Sequence, residues 1–389
     1  MAQGKTHLTQ LANALSPATY AWRNSNSITL LINAEMFFPH MIDGIKSAKQ
    51  TILLEMYLVE SGSVASRFIE ACLVAATKGV KIHLLFDDFG CRGLKQADRN
   101  KLVHENISLA FYNPLHYGTF RRNLFRDHRK ILVIDNKQAY IGGVGLTDDF
   151  IDKDVKKLGW RETVVCVKGQ CVLDWIDAFT RVWEFYAKTS LSYNYESQEA
   201  IEENIPCRVN CTVGSAKQGI KRSLIKRIRA TERQCWIATA YFVPSYKVRR
   251  ALARAAKRGV DVRVLVPGPK TDHPAVRHAG RRFYYRLLKA GVRIYEYQPR
   301  FMHQKVLLCD SWVSIGSSNI DRWNFRWNLE ANQEVEDQDF VSQVEKMFSH
   351  DFSQSKECKF DEWEQRSFYN RLMEKLWGYV DRVIDRFLR

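Results

Sequence analysis

Two stretches of this chain repeat one pattern of apolar and polar positions. The first begins near Gln50, QTILLEMYLVESGSVASRFIEACLVAATKGVKIHLLFDD. The second begins near Arg233, RQCWIATAYFVPSYKVRRALARAAKRGVDVRVLVPG. Each opens on an apolar run of strand length and passes through a polar loop. Apolar positions at helical spacing over alanine-rich turns follow, and a second apolar run closes the unit. Gly79 and Gly259 stand in matching Ala-Thr-Lys-Gly-Val and Ala-Lys-Arg-Gly-Val contexts, where a left-handed residue ends a helix. Strand, helix and strand in that order predict a parallel pair with a crossover helix. Upstream, EMFFPHMIDGIKSAK and IKRSLIKRIRAT each add a helix; downstream, SLAFYN and VRIYEY each add a strand. The chain is therefore a tandem repeat, and its 389 residues suit two domains of ordinary size.

The next apolar hairpin of each half carries polar residues that a buried strand does not need. In MHQKVLLCDSWVSIGSSN a period of two puts His303 and Lys305 on one face, with Val306 and Leu308 on the other. The stretch reads His303-x-Lys305-x4-Asp310, a turn, then Gly316-Ser317-Ser318-Asn319. Its counterpart, DHRKILVIDNKQAYIGGVGLTDDF, reads His128-x-Lys130-x4-Asp135, a turn one residue longer, then Gly142-Gly143. A single histidine on a strand is usually a satisfied core or edge residue. One such match arises by chance in roughly a few per cent of chains this long, on background residue usage; two inside a repeat do not.

Composition narrows the partner. The net charge of +16 points to an anionic one: nucleic acid, an acidic membrane surface or a phosphate-bearing substrate. Nine cysteines lie scattered without paired spacing. Cys207 and Cys211 are too isolated for a zinc site, and Cys72, Cys166, Cys235 and Cys309 read as small core residues, which predicts a reducing compartment. No signal-peptide core opens the chain, and no stretch approaches the roughly 18 to 20 apolar residues of a membrane span. Any membrane role is expected to be peripheral.

The duplicated H-x-K-x4-D motif resembles the signature of the phospholipase D superfamily, over about Ile28 to Phe352. The chemistry explains the duplication. Displacement at a phosphodiester needs a nucleophile, an acid for the leaving alkoxide, and positive charge around the phosphoryl oxygens. Two imidazoles on opposite sides of one phosphate supply the first two; Lys130, Lys305 and Asn319 supply the third. The resemblance implies no metal and no other cofactor. It implies His128 as nucleophile and His303 as acid and base, a symmetry the residues themselves do not break. Asp135 and Asp310 belong to the motif, but each sits at a turn where Asp bonds its own backbone, so an orienting role competes with a catalytic one. By family position, Glu330 and Glu162 would fix the histidine tautomers, although the family more often has Asp at the latter. Glu55, Tyr241, Ser317 and Gly143 match positions near the pocket. GGVGLTDDF has Gly145 where some relatives carry Asn, leaving Thr147 as the nearest substitute donor.

The implied architecture is α/β: two tandem α/β/α repeats related by a pseudo-twofold axis. Each is a mixed, mostly parallel sheet flanked by helices, and the two share one active site. The expected bounds are 1–187 and 207–355 for the repeats, 188–206 for a polar linker and 356–389 for a tail. In that tail Phe368, Leu372, Leu376, Val380, Ile384 and Phe387 recur at helical spacing, flanked by Arg366, Arg371, Lys375, Arg382 and Arg386. This predicts an amphipathic helix of interfacial type, with a helix docked on its own domain as the alternative. A basic run, Arg277, Arg281, Arg282, Arg286 and Lys289, is either a solvated face or a lure for anionic head groups.

Size, tail and GSSNIDRWNFRWNLEANQEV are most similar to bacterial cardiolipin synthases, and among them to the short B type. Arg322-Trp323 and Phe325-Arg326 replace the usual Pro and Ser positions there. The resemblance implies transfer of a phosphatidyl group to phosphatidylglycerol, from phosphatidylglycerol or phosphatidylethanolamine, at the cytoplasmic face of a bacterial inner membrane. Anionic phospholipid is the expected partner and nucleic acid is not. A hydrolytic phospholipase D, or a nuclease or nucleic-acid binder on the same scaffold, is the competing reading. Single-motif nucleases dimerise, whereas this chain carries both motifs itself. Oligomeric state is left open.

Overall fold

The computed structural model describes residues 9–15, 19–118, 122–154, 157–191, 201 and 203–387. Most of the expected linker lies outside them, as do the side chains of Arg382, Ile384, Arg386 and Phe387. The first half runs β1 (Asn26–Ile32), α1 (Asn33–Ser47), β2 (Thr51–Met56), α2 (Ser63–Thr77), β3 (Lys81–Asp87), β4 (Ile107–Tyr112), β5 (Arg126–Asp127), β6 (Lys130–Ile134), β7 (Gln138–Gly142), β8 (Thr163–Gly169) and α3 (Cys171–Ala187). The second half begins with β9 (Cys207–Val213), β10 (Lys217–Gln218), α4 (Gly219–Ala230), β11 (Gln234–Ala238), α5 (Tyr246–Lys257), β12 (Asp261–Pro267), α6 (Pro274–Arg281) and β13 (Arg293–Tyr297). It continues through β14 (Val306–Cys309), β15 (Trp312–Gly316), β16 (Asn328–Glu336), α7 (Gln338–Ser353), β17 (Ser355–Cys358) and α8 (Phe368–Phe387), with shorter helical turns between.

The strands form two sheets. One has the order β1-β8-β7-β6-β2-β3-β4; the other has β10-β9-β16-β15-β14-β11-β12-β13-β17, with β5 beside β16. From β8 to β4 and from β16 to β13 the two orders match strand for strand, as the repeat predicts. The predicted crossover pairs, β2 with β3 and β11 with β12, are parallel, and so are β3 with β4 and β12 with β13. The remaining neighbours along each sheet path are antiparallel. The sheets are thus mixed but mostly antiparallel, which corrects the expectation. Only a crossover helix forces parallel neighbours. The motif hairpins β6–β7 and β14–β15 close through short turns and must be antiparallel.

Apolar alternation assigns the layers. In β6, Ile131 and Val133 face a central core, while Leu132 and Ile134 face α1 and α2. In β14, Val306 and Leu308 face the same central core, while Leu307 and Cys309 face α4 and α5. Helices α3 and α7 fill that centre with Trp175, Phe179, Val344 and Phe348. Strands buried on both faces read as continuous apolar runs, as KILVI and VLLC do. Gly79 and Gly259 have φ of +89° and +92° and end α2 and α5 as expected. The amides of Val80 and Val260 reach back to the carbonyls of Ala75 and Ala255 at 3.2 Å in both cases.

Both ends depart from the expected bounds. Tyr20 donates its amide to Val209 O at 3.0 Å, and Arg23 and Cys207 form a β-bridge, so the start of the chain edges the second sheet. The second unit does not stop at residue 355. Strand β17 pairs with β13, and Trp363 is buried against Tyr284 at 4.9 Å between ring centroids. Helix α8 packs on α6. The nine cysteines are free thiols, and all but Cys358 are buried.

Asp135 and Asp310 mark the hairpin turns at φ of +52° and +51°. The Asp135 carboxylate accepts the amides of Lys49, Gln50 and Thr51 at 2.7–3.0 Å. The Asp310 carboxylate accepts those of Glu232, Arg233 and Gln234 at 2.9–3.1 Å. Each pins the start of the neighbouring strand. At about 3.3 Å per residue of strand, each lies roughly 20 Å from the histidine of its own motif. The catalytic role that their place in the motif suggests is therefore corrected to a structural one. Asp135→Ala and Asp310→Ala are expected to lower stability by about 1–3 kcal/mol, the cost of orphaning bonded donors, in urea melts. Turnover per folded molecule should stay within a few-fold of wild type; a far larger loss would restore the catalytic role.

Candidate active site

His128 and His303 lie in extended segments just ahead of β6 and β14, not within those strands. Each segment is hydrogen-bonded to the other repeat. Strand β5 pairs in parallel with β16, Asp127 opposite Leu329, and the His128 amide donates to Leu329 O at 3.0 Å. In the second half Arg161 bridges Met302 in parallel. The Arg161 amide donates to Phe301 O, and the His303 amide donates to Arg161 O, both at 2.8 Å. These two ties place Glu330 beside His128 and Glu162 beside His303. His128 Nδ1 lies 3.0 Å from Glu330 Oε1, and His303 Nδ1 lies 2.7 Å from Glu162 Oε2. The expected carboxylates are present, but crossed: each histidine is oriented by the opposite repeat. An imidazole whose Nδ1 is so engaged presents Nε2 to substrate.

The lysines fall on the same side as their histidines, as the period of two predicts. Lys130 Nζ donates to His128 O at 2.6 Å. Lys305 Nζ bonds His303 O, and stands 2.9 Å from His303 Nδ1 and 3.5 Å from Glu162 Oε2. The middle residues of the two motifs point the other way, into the interior. Arg129 forks onto Glu55 at 2.5 and 2.8 Å, and Gln304 donates to Asp351 at 2.9 Å. Glu55 is therefore not a pocket residue; it is the buried counter-ion of Arg129, which corrects its assignment. Arg161 forks onto Asp351 at 3.0 and 2.9 Å and ties the two repeats together behind the site.

Burial and like charge shape the titration. Burial, then Lys130 and Lys305, push His128 well below its ordinary value. Burial and Lys305 bring His303 down to about 4 against the pull of Glu162. Burial lowers Lys130 to about 7 and lowers Lys305 as well. The two carboxylates diverge. Burial drives Glu330 up to about 8 despite Lys130. Burial also opposes the charge on Glu162, but Lys305 and His303 outweigh it and hold this group below its ordinary value. The pocket is buried and electropositive, so an entering phosphate anion is attracted by Lys305 and Lys130 and in turn favours their charged forms.

The other expected residues divide. Asn319 is fully buried; its Oδ1 accepts from Thr239 Oγ1 and the Tyr241 amide at 3.3 Å. Its Nδ2 has no hydrogen-bond partner among the described residues, a donor held ready for a phosphoryl oxygen. Ser317 Oγ donates to Glu330 Oε2 at 2.5 Å and positions that carboxylate. A Cβ at Gly143 would strike Glu162 Oε2 and stand 3.0 Å from Lys305 Nζ, so the glycine makes room for the charged pair. Tyr241 Oη donates to Asp272 Oδ2 at 2.5 Å, and its ring lies 5.7 Å from that of His273. Thr147 Oγ1 donates to Glu60 at 3.0 Å; it is spoken for and does not replace the missing asparagine.

Sequence reasoning missed the aromatic wall. The Tyr57 ring sits 4.8 Å from His128 and 4.9 Å from Lys130 Nζ. Trp160, Phe301 and Phe150 surround His303 at 5.1, 5.6 and 5.7 Å. Tyr57 and Trp160 each stand two residues from an expected carboxylate, Glu55 and Glu162, and that adjacency was the available signal.

Comparison with known proteins bears on this site. A family model described as cardiolipin synthase, PLD-like domain, matches residues 41–183 and 224–352. Cardiolipin synthase A of Pseudomonas syringae pv. syringae (strain B728a) is 34% identical over 369 residues, covering 94% of this chain and 75% of that protein. Cardiolipin synthase of Clostridium perfringens (strain 13 / Type A) is 30% identical over 378 residues, covering 94% and 78%. The crystal structure of phosphatidylserine synthase from Haemophilus influenzae Rd KW20 superposes with a TM-score of 0.72 at 13% identity, covering 98% of this chain and 99% of that one, a likeness of fold.

Gly143→Ala tests the crossed geometry. Displacing Glu162 and Lys305 by even about 1 Å should cost roughly 100-fold in turnover. The urea midpoint should move far less than activity. Near-wild-type turnover would show that the Glu162–His303 contact is dispensable.

Proposed function

We propose, for a chain that belongs to the cardiolipin synthase, PLD-like domain family, that it is a phosphatidyl transferase of phospholipase D type which makes cardiolipin. The observation that carries this reading is the crossed pair of histidine–carboxylate contacts around Lys130 and Lys305. One imidazole attacks phosphorus of a donor phospholipid while the bond to the head-group alcohol breaks. The opposite histidine, holding a proton with its paired carboxylate, gives that proton to the leaving oxygen. A hydroxyl of phosphatidylglycerol then attacks the phosphatidyl-histidine, returning its proton to the second imidazole and freeing the first. Glycerol leaves when the donor is phosphatidylglycerol, ethanolamine when it is phosphatidylethanolamine. Water in place of the acceptor gives phosphatidic acid, and the aromatic wall around His303 works against water. The proposed setting is peripheral, on the cytoplasmic face of a bacterial inner membrane. Among the described residues no helix is long and apolar enough to cross one. The B-type assignment is part of the proposal.

His128 is proposed as the nucleophile and His303 as the acid. A specific observation favours the reverse. With Glu330 pushed up to about 8 and Glu162 held down, the His128–Glu330 pair keeps an additional proton at neutral pH, as a proton donor should. The pH profile separates the two. If His128 attacks, its pair must lose that proton, and kcat/KM rises with pH through about 8. If His128 is the acid, kcat/KM falls through the same range. Glu330→Gln removes the limb that belongs to this pair, whereas a fall that comes from Lys130, lowered to about 7, persists in that variant. An alkaline quench followed by peptide mapping then locates the phosphatidyl group on the peptide of His128 or of His303.

Purified protein with labelled phosphatidylglycerol vesicles should yield cardiolipin. His128→Ala and His303→Ala should each lower the rate by about 10²-fold to 10⁴-fold. EDTA is expected to leave the rate unchanged, because the lysines supply the positive charge. Phosphatidic acid as the sole product would make the protein a hydrolase, and no lipid product would overturn the reading.

A further inference from the structure

Helix α8 docks with its polarity reversed. Among its described side chains the buried positions are Glu374, 3% exposed, and Gly378. Glu374 accepts a fork from Arg366 at 3.2 and 3.0 Å and lies 3.7 Å from Arg281 Nε, while Gly378 O accepts from Arg282. Among the described side chains, Met373, Trp377, Val380 and Val383 are half-buried, while four apolar residues face outward, Phe368 79% exposed, Leu372 50%, Leu376 48% and Tyr379 61%. At 100° per residue these fall within one narrow stripe. A surface helix of a globular protein normally buries such a stripe; here ion pairs hold the other face, and the stripe is left open. Over Phe368, Leu372 and Leu376 the tail does not bury its expected stripe on its own domain.

The stripe borders a groove of about 1290 Å³ between α8, the start of α5 and the loop after β15. Nine Lys or Arg residues line this groove, against two Glu, and Glu374 already serves Arg366. Arg249 and Arg282 lie against the Phe283 ring, at 4.1 and 4.4 Å from its centroid, so like charges are gathered about a rigid aromatic. Arg249 Nε is buried without a hydrogen-bond partner among the described residues. Burial and the charges of Arg282, Arg286 and Arg322 make Arg249 easier to deprotonate than usual. A second groove, between α4 and α5, shares Tyr246 with the first; six of its ten lining residues are Lys or Arg and none is acidic. The positive field reaches the rim of the active site. One loop carries Tyr241 at the site and Pro244 and Ser245 at the groove; another carries Asn319 at the site and Arg322 and Arg326 at the groove.

We propose that this groove holds the phosphate of an anionic phospholipid in a bilayer, with the outward stripe of α8 lying in the interface beside it. It is a second phospholipid site, distinct from the pair of histidines, and it rests on the reading that the substrate is a membrane lipid. An apolar stripe edged by cations matches an anionic bilayer in both chemistry and charge.

The test is flotation with phosphatidylcholine vesicles, with and without phosphatidylglycerol, of wild type, Arg249→Glu/Arg286→Glu and Leu372→Ser/Leu376→Ser. Urea midpoints and cardiolipin formation from detergent-dispersed phosphatidylglycerol serve as controls. The arginine pair should lose at least roughly tenfold in affinity for phosphatidylglycerol vesicles and nothing on neutral ones. The leucine pair should weaken binding to both. Both variants should retain detergent-phase activity. Where charge reversal lowers the urea midpoint, Arg249→Gln/Arg286→Gln takes its place. Undiminished binding by a folded arginine variant overturns the groove, as does a loss seen only for a nucleic-acid duplex and not for vesicles. Wild type that binds phosphatidylglycerol vesicles through the groove but forms no cardiolipin would overturn the proposed reaction and leave the groove standing.

Discussion

Two short parallel ties between the repeats carry the site. One sets Leu329 beside Asp127 and His128; the other sets Arg161 beside Met302 and His303. Backbone hydrogen bonds of this kind fix register, and a one-residue slip turns every side chain to the opposite face. Glu330 and Glu162 reach the imidazoles only in the observed register. Behind the ties, Arg161–Asp351 and Arg129–Glu55 are buried ion pairs whose partners cannot part without stranding a charge. The middle positions of the motifs, Arg129 and Gln304, thus hold the frame from which the outer positions act.

Charge is distributed with purpose across this basic chain. In the interior, arginines meet carboxylates, as in Arg126 with Asp87. At the site the two lysines exceed what their carboxylates neutralise, and burial strains the charge on both. Around α5 and α8 the excess is concentrated at the surface. A phosphate entering the pocket relieves the inner excess, and its arrival changes the proton affinity of every group around it.

Much of this was legible in the residues. Apolar periodicity placed the strand–helix–strand units, and the glycines marked the helix ends, because both follow from local geometry. The spacing of His and Lys put them on one side because a strand alternates. The direction of the remaining strands was not legible: a hairpin and a crossover share the same apolar pattern. Nor was the crossing of Glu162 and Glu330, since nothing local says which repeat a carboxylate will face. Asp135 and Asp310 sit in the motif by spacing, yet their turn chemistry gave the better guide to their role. Glu55 and Thr147 looked like site residues until Arg129 and Glu60 claimed them. The tail's pattern was clear, but whether the stripe turned inward depended on Glu374, Arg281 and Arg366, which meet only in the fold.

The crossed contacts also order events in time. His128 and its carboxylate are 202 positions apart, and His303 and its own are 141 apart. Contacts of such separation cost loop-closure entropy before they are rewarded. During synthesis the first motif emerges long before Glu330 does, so the nascent chain carries an imidazole with no partner to orient it. The chemistry switches on only when the second repeat has been made and has closed on the first. A truncated or half-folded product therefore threatens no lipid.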